Sequence, residues 1–134
     1  MIEKLTAEQW REVSENVHKA VFAKIKPASM DRIDFALVYH RDGKNIGYVT
    51  CREQDSETLY WQFGGAFMPY RKTIDTWRGY VAFREWCRSR YKRIHTLVEN
   101  DNVDYLKMAM KAGFRIIGTQ TFNGNVLVTL LLEF

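Results

Sequence analysis

The chain has 134 residues, of which 46% are apolar and 27% charged, with a formal net charge of +4. That length suits one domain with its own core, and that balance excludes an intrinsically disordered chain. No apolar run reaches the roughly 20 residues that a membrane-spanning helix needs, and no secretory-type apolar segment follows Met1.

Eight Phe, seven Tyr and four Trp predict an aromatic-rich core. Cys51 and Cys87 are too far apart in sequence for a metal-ligand pattern and too few for a disulfide framework, so they are expected as reduced core thiols in a cytoplasmic chain. The basic excess gathers in Arg84, Arg88, Arg90, Lys92 and Arg93. Such a run reads as the cation-bearing end of a helix rather than a nucleic-acid patch, and no nucleic-acid motif accompanies it.

In chain order, Thr6-Ala7-Glu8-Gln9 forms a capping box, in which the Thr6 hydroxyl and the Gln9 side chain satisfy each other's backbone N–H. Trp10, Val13, Val17, Val21 and Phe22 follow at helical spacing and predict a helix over residues 7–24, which Pro27 stops. Residues 35–39 and 46–51 read as two strands joined by a turn at Asp42-Gly43, because Asp-Gly supplies positive φ. A third strand is expected over 58–68, where Gly64-Gly65 predicts a bulge or a close approach by another backbone or a ligand. Pro69 closes it. Thr73 is a suitable N-cap for a helix over 74–90, in which Ile74, Trp77, Val81, Phe83, Trp86 and Cys87 share a face.

Residues 94–98 read as a strand. Asn102 then caps a short helix carrying Val103, Leu106, Ala109 and Met110, and Gly113 stands at its C′ position. The last two strands, 114–122 and 126–134, turn at Asn123-Gly124, a strong hairpin signal. The second of them is almost wholly apolar and is expected to be buried on both faces. The passage from Thr58 to Val98 predicts a parallel pair joined by a right-handed crossover. The fold class is therefore α/β (α+β). One domain over residues 1–134 holds a mixed, mostly antiparallel sheet with a central parallel pair and helices on both faces.

That order, with the run from Asn102 to Phe114, resembles the GNAT acyltransferase superfamily. In that family an Asn begins the helix after the fifth strand and a Gly-Phe pair ends it; here these are Asn102 and Gly113-Phe114, with Gly118 beyond. Phe67-Met68-Pro69 followed by Arg71 resembles the family's entry into its cofactor loop. The resemblance is specific over residues 58–134 and rests on element order before that. The short loops and lean N-terminus look most like the small GNAT-like proteins of bacteriophages and prophages.

The resemblance implies a GNAT fold whose fourth and fifth strands splay around acetyl-CoA, with the pyrophosphate on the N-terminus of the following helix. Carried over residue by residue, it implies cofactor contacts from Phe67, Arg71, Lys72, Thr73, Thr76 and Asn102. Two departures stand against it. Ile74 and Thr76 occupy positions where the family has small residues, with Asp75 adding negative charge between them. Ala109 occupies the position of the family's thiolate-protonating Tyr, while Tyr105 lies one turn earlier. His95 and Glu99 are the candidates for a general base. The implied function is transfer of an acetyl group from acetyl-CoA to the amine of an unidentified acceptor, in a bacterial or phage-infected cell. The alternative is a non-catalytic GNAT-fold protein with a binding or virion-assembly role. No membrane or metal partner is expected, a nucleic-acid partner is disfavoured, and the apolar last strand leaves a homodimer open.

Overall fold

A computed structural model describes residues 1–22 and 32–134. Its seven strands are β1 (Ile2–Thr6), β2 (Phe35–Arg41), β3 (Lys44–Glu53), β4 (Thr58–Ala66), β5 (Arg93–Glu99), β6 (Arg115–Phe122) and β7 (Asn125–Glu133). Its helices are α1 (Ala7–Phe22), α2 (Ile74–Arg88) and α3 (Val103–Lys111). The strands form one sheet in the order β1-β2-β3-β4-β5-β7-β6. Every neighbouring pair is antiparallel except β4 and β5. The mixed sheet with one central parallel pair is thus the expected one.

β1 was not legible as a strand. It is an edge strand that pairs only with β2. It carries Glu3 and Lys4 in its middle, charges that suit an edge and hide the apolar alternation of an interior strand. The capping box forms at its junction with α1. Thr6 N–H donates to Gln9 Oε1 at 2.9 Å, and Gln9 N–H to Thr6 Oγ1 at 3.2 Å. Pro27, expected to end the first helix, lies outside the described residues.

Two cores sandwich the sheet. On one face Trp10 of α1, with no exposed surface, packs with Ala36, Val38 and Tyr48. On the other, Tyr80, Phe83 and Cys87 of α2 and Ala109 of α3 pack on Leu37, Val49, Leu59, Trp61, Ile94 and Leu130. Both cysteines are free and buried in this second core. Desolvation raises both thiols, that of Cys87 to about 12, so neither is a nucleophile near neutral pH. β7 lies inside the sheet between β5 and β6. Val128, Leu130 and Leu132 are buried against the helices; on the other face Thr129 is buried, while Leu127 and Leu131 are half-buried. The expectation of burial on both faces therefore holds fully for one face and in part for the other. The reason is that, among the described residues, α1 packs against β1, β2 and β3 and no helix covers β7 on that face.

Both two-residue hairpins take positive φ, at Asp42-Gly43 and Asn123-Gly124. α3 begins and ends as expected. Asn102 accepts from Tyr105 N–H at 3.4 Å, and Gly113 has φ +104° just beyond the C-cap Ala112. A Cβ on Gly113 would also stand 3.2 Å from Leu132 Cδ1. Gly113→Val is therefore expected to cost about 1–3 kcal/mol in urea unfolding, from left-handed backbone strain. Asn102→Ala is expected to cost about 1 kcal/mol, as a lost cap. An unchanged urea midpoint for Gly113→Val would remove that C′ assignment.

Candidate functional site

The parallel ladder between β4 and β5 is short. It runs from Thr58 opposite Arg93 to Trp61 opposite Thr96 and stops, although β4 continues to Ala66 and β5 to Glu99. Two threonines hold the fork open. On β5, the Thr96 hydroxyl donates to the Trp61 carbonyl at 3.0 Å, taking the last acceptor of the ladder. On β3, the register shifts at Thr50/Cys51, so that Gln62 of β4 is an extra residue. The Thr50 hydroxyl receives Phe63 N–H at 3.1 Å across this bulge. A bulge bends its strand and increases its twist, which carries the end of β4 away from β5.

The bulge was expected at Gly64-Gly65 and sits just before them. The glycines serve the other role foreseen for them, a close approach of backbone. A Cβ on Gly64 would lie 2.8 Å from the Tyr48 carbonyl oxygen, and one on Gly47 the same distance from that of Gly65. β4 also ends at Ala66 rather than at residue 68, because a 3-10 turn begins at Met68.

That turn delivers the chain to α2. Arg71 Nε donates to the Ala66 carbonyl at 3.3 Å, and Lys72 adopts φ 57°. Thr73 occupies the N-cap position but makes no side-chain cap bond. Its hydroxyl turns back to the Tyr70 carbonyl at 2.5 Å, and the Thr76 hydroxyl donates to the same carbonyl. The first N–H groups of α2 are therefore not capped from within, and the positive end of the helix dipole faces outward. Asp75, which the sequence suggested would repel an anion, points elsewhere. It takes Arg41 Nη1 of β2 at 2.5 Å, with Arg78 Nη1 at 3.9 Å.

Between the fork, the start of α2 and α3 lies a cleft of about 590 Å³, within the range of about 300–1,000 Å³ typical of ligand sites. Trp61, Gly64, Gly65 and Ala66 line its β4 side, Trp77 and Tyr80 its α2 side, and Asn102, Tyr105 and Met108 its α3 side. Arg71, Lys72, Lys107 and Lys111 also line it, against one carboxylate, Asp104. Lys72 reaches Asp104 at 3.5 Å from the other lip. Burial raises the phenols of Tyr80 and Tyr105. For Tyr105 this exceeds the lowering effect of the neighbouring Tyr80 and Thr96 hydroxyls, and the group stays protonated near neutral pH. Ala109 is fully buried and does not reach the cleft; Tyr105, one turn earlier, does.

Of the sequence candidates, Arg71, Lys72, Thr73, Thr76 and Asn102 meet in this one cleft. Phe67 does not, because it packs with the Trp10–Tyr48 core on the opposite face of the sheet. His95 and Glu99 are also outside it. They alternate with the core residues Ile94 and Val98 and so project from the face away from α2 and α3. His95 lies 5.6 Å from the Tyr60 ring, with Gln54 Nε2 at 3.2 Å from its Nδ1, and burial lowers its pKa, so it is neutral near pH 7. Trp77, Lys107 and Lys111 escaped the sequence reading, although the spacing of Asp104, Lys107, Met108 and Lys111 places them on one side of α3.

Each cation of the basic run has a partner within the protein. Arg84 donates to the Ala112 carbonyl at 2.8 Å, Arg88 pairs with Glu85 at 3.0 Å, and Arg90 donates to the Trp86 carbonyl at 2.7 Å. Lys92 pairs with Glu57 at 3.1 Å, and Arg93 donates to Thr58 Oγ1 at 2.9 Å.

Solved structures share this fold over the whole chain. A GNAT family acetyltransferase from Elizabethkingia anophelis with acetyl-CoA bound superposes with a TM-score of 0.79 at 14% identity, covering 100% of this chain and 97% of that one. The fold is that of the GNAT acetyltransferases. Arabidopsis thaliana Naa50, in complex with the bisubstrate analogue CoA-Ac-MVNAL, gives a TM-score of 0.75 at 14% identity, with 99% of each chain covered. An IAA acetyltransferase from Bacillus cereus gives 0.73 at 16% identity, over 100% of this chain and 99% of that one. No protein-family model matches the sequence, and no curated protein does. The GNAT likeness is carried by backbone geometry.

Proposed function

We propose that this protein is an acetyl-CoA-dependent N-acetyltransferase and that the cleft between β4 and β5 holds the coenzyme. The observation that carries the reading is the start of α2. Its N–H groups are uncapped, Arg71 and Lys72 flank them, Asp75 is drawn away by Arg41, and they border a cleft that runs into the strand fork. Uncapped N–H groups and the dipole favour an anion such as a pyrophosphate. Beyond Trp61, the β5-facing edge of β4 has no strand partner, so its backbone groups are free to pair with an amide-bearing arm. Solved GNAT-fold structures with acetyl-CoA or CoA-derived ligands support the same assignment.

The coenzyme would supply the acetyl group as a thioester. This chain's contribution is positioning: the fork, which opens beyond Trp61 and Thr96, would hold the thioester, and holding the reactants together supplies much of the rate. Backbone N–H groups of β4 are suited to polarise a carbonyl there. The protonated Tyr105 hydroxyl, beside Thr96, would give its proton to the thiolate that leaves as the amine takes the acetyl group, in place of a residue at Ala109. The acceptor amine would approach from the opposite face, where His95, neutral near pH 7, or Glu99 would take its proton.

The test is a calorimetric titration with acetyl-CoA at low salt. Wild type is expected to bind, and Arg71→Ala to bind roughly tenfold or more weakly, since a charge-assisted contact to phosphate contributes more than a neutral one. The loss should shrink as salt screens the exposed guanidinium. No binding by wild type at millimolar ligand would overturn the reading, and equal affinity of the two proteins would remove Arg71 from the site. A second reading, a binding protein without catalysis, is favoured by Ala109 and by Ile74 and Thr76, which stand where the resemblance has small residues. Under it acetyl-CoA binds but Tyr105→Phe leaves any acetyl transfer to model amines at the uncatalysed rate of wild type.

A further inference from the structure

The cleft holds more positive charge than one pyrophosphate accounts for. Its α2 lip has Arg71, Lys72 and the helix N-terminus, and its α3 lip has Lys107 and Lys111. These two lysines are four residues apart and so project from one side of the helix, where like charges repel unless an anion lies against them. Among the described residues neither meets a carboxylate at ion-pair distance; the one carboxylate in the cleft, Asp104, is taken by Lys72. Lys111 is instead held over the Trp77 ring of α2, its Nζ 4.9 Å from the centroid. That contact turns its ammonium toward the α2 side of the cleft, and it leaves the charge unneutralised.

We propose that Lys107 and Lys111 form a second anion subsite, which takes the 3′-phosphate on the coenzyme's ribose and makes the protein select phosphorylated over dephosphorylated coenzyme. The inference rests on the acetyl-CoA reading of the cleft. A phosphate monoester carries about −1.5 to −2 charges at pH 7, which two ammonium groups match. The pyrophosphate is already served by the α2 lip. The two lips therefore read two separate phosphate groups of one ligand, with the apolar Trp77 side chain between them.

The experiment compares acetyl-CoA with acetyl-dephospho-CoA, titrated calorimetrically into wild type and into the double variant Lys107→Ala/Lys111→Ala. Both lysines are exposed, so the variant should keep its thermal midpoint within a few degrees. Wild type is expected to bind acetyl-CoA about tenfold or more tightly than the dephospho form, the scale of one charge-assisted contact. The double variant is expected to bind both ligands equally, with its affinity for the dephospho form unchanged. Equal affinity of wild type for the two ligands would overturn the subsite, as would a preference that survives the double substitution. If wild type binds neither ligand, the acetyl-CoA reading itself falls and the subsite with it. Binding without discrimination removes the subsite alone.

Discussion

Trp61→Ala is expected to cost about 3–5 kcal/mol of folding stability, the range for deleting a large buried aromatic side chain. Trp61 is 2% exposed and sits where β4 and β5 part. Its ring lies 5.5 Å from Tyr80 and 5.7 Å from Phe114 between centroids, with Phe83 at 6.5 Å. The residue thus joins the sheet to α2 and to the start of β6 at one point. It also lines the cleft, so the void left by Ala would open toward the ligand site. The check is urea unfolding, with a lower midpoint and an unchanged slope expected. Trp61→Phe, which keeps an aromatic ring in the cluster, should recover much of the loss. A midpoint within error of wild type for Trp61→Ala would mean that this aromatic cluster does not hold the fork.

Gly64→Ala is expected to cost on the order of 1–3 kcal/mol, as overpacking does, and to weaken acetyl-CoA binding at least about tenfold. The added Cβ would meet the Tyr48 carbonyl oxygen at 2.8 Å and Val49 Cα at 3.4 Å. Both are main-chain atoms of β3, so no side-chain rotation relieves the clash. The strands must part, and β4 moves toward the cleft it lines. Gly118→Ala on β6 is the matched control. Nothing lies within 4 Å of a Cβ there, and the substitution should be neutral or slightly stabilising, through the lower entropy of the unfolded chain. Equal melting temperatures for the two variants would show that the β3–β4 approach at Gly64 is not tight.

Features set by local chemistry were legible in the sequence. The capping box at Thr6–Gln9, the cap at Asn102, the C′ glycine at Gly113 and the two hairpin turns each depend on residues within a few positions of one another. The parallel crossover was legible because strand, helix and strand follow in order with one handed solution. What escaped depends on partners distant in sequence. The bulge sits at Gln62 because Thr50, on the neighbouring strand, bonds across it at Phe63. Asp75 looked hostile to an anion until Arg41, 34 residues earlier, proved to hold it. Phe67 was assigned to the cofactor by its place beside Pro69, but it joins the Trp10–Tyr48 core on the other face. Tyr105 was visible as a residue, but only packing shows that it enters the cleft while Ala109 does not.

The most direct measurement of the central claim is amide hydrogen exchange on the intact protein with and without saturating acetyl-CoA. A coenzyme seated on the uncapped start of α2 and along the free edge of β4 should slow exchange at residues 74–77 and 62–66, with smaller effects at 102–105. The β3–β4 turn at residues 54–57, at the closed end of the β4–β5 ladder, should exchange as before. Protection absent from both α2 and β4 at saturation, or confined to other elements, would contradict the assignment of the cleft.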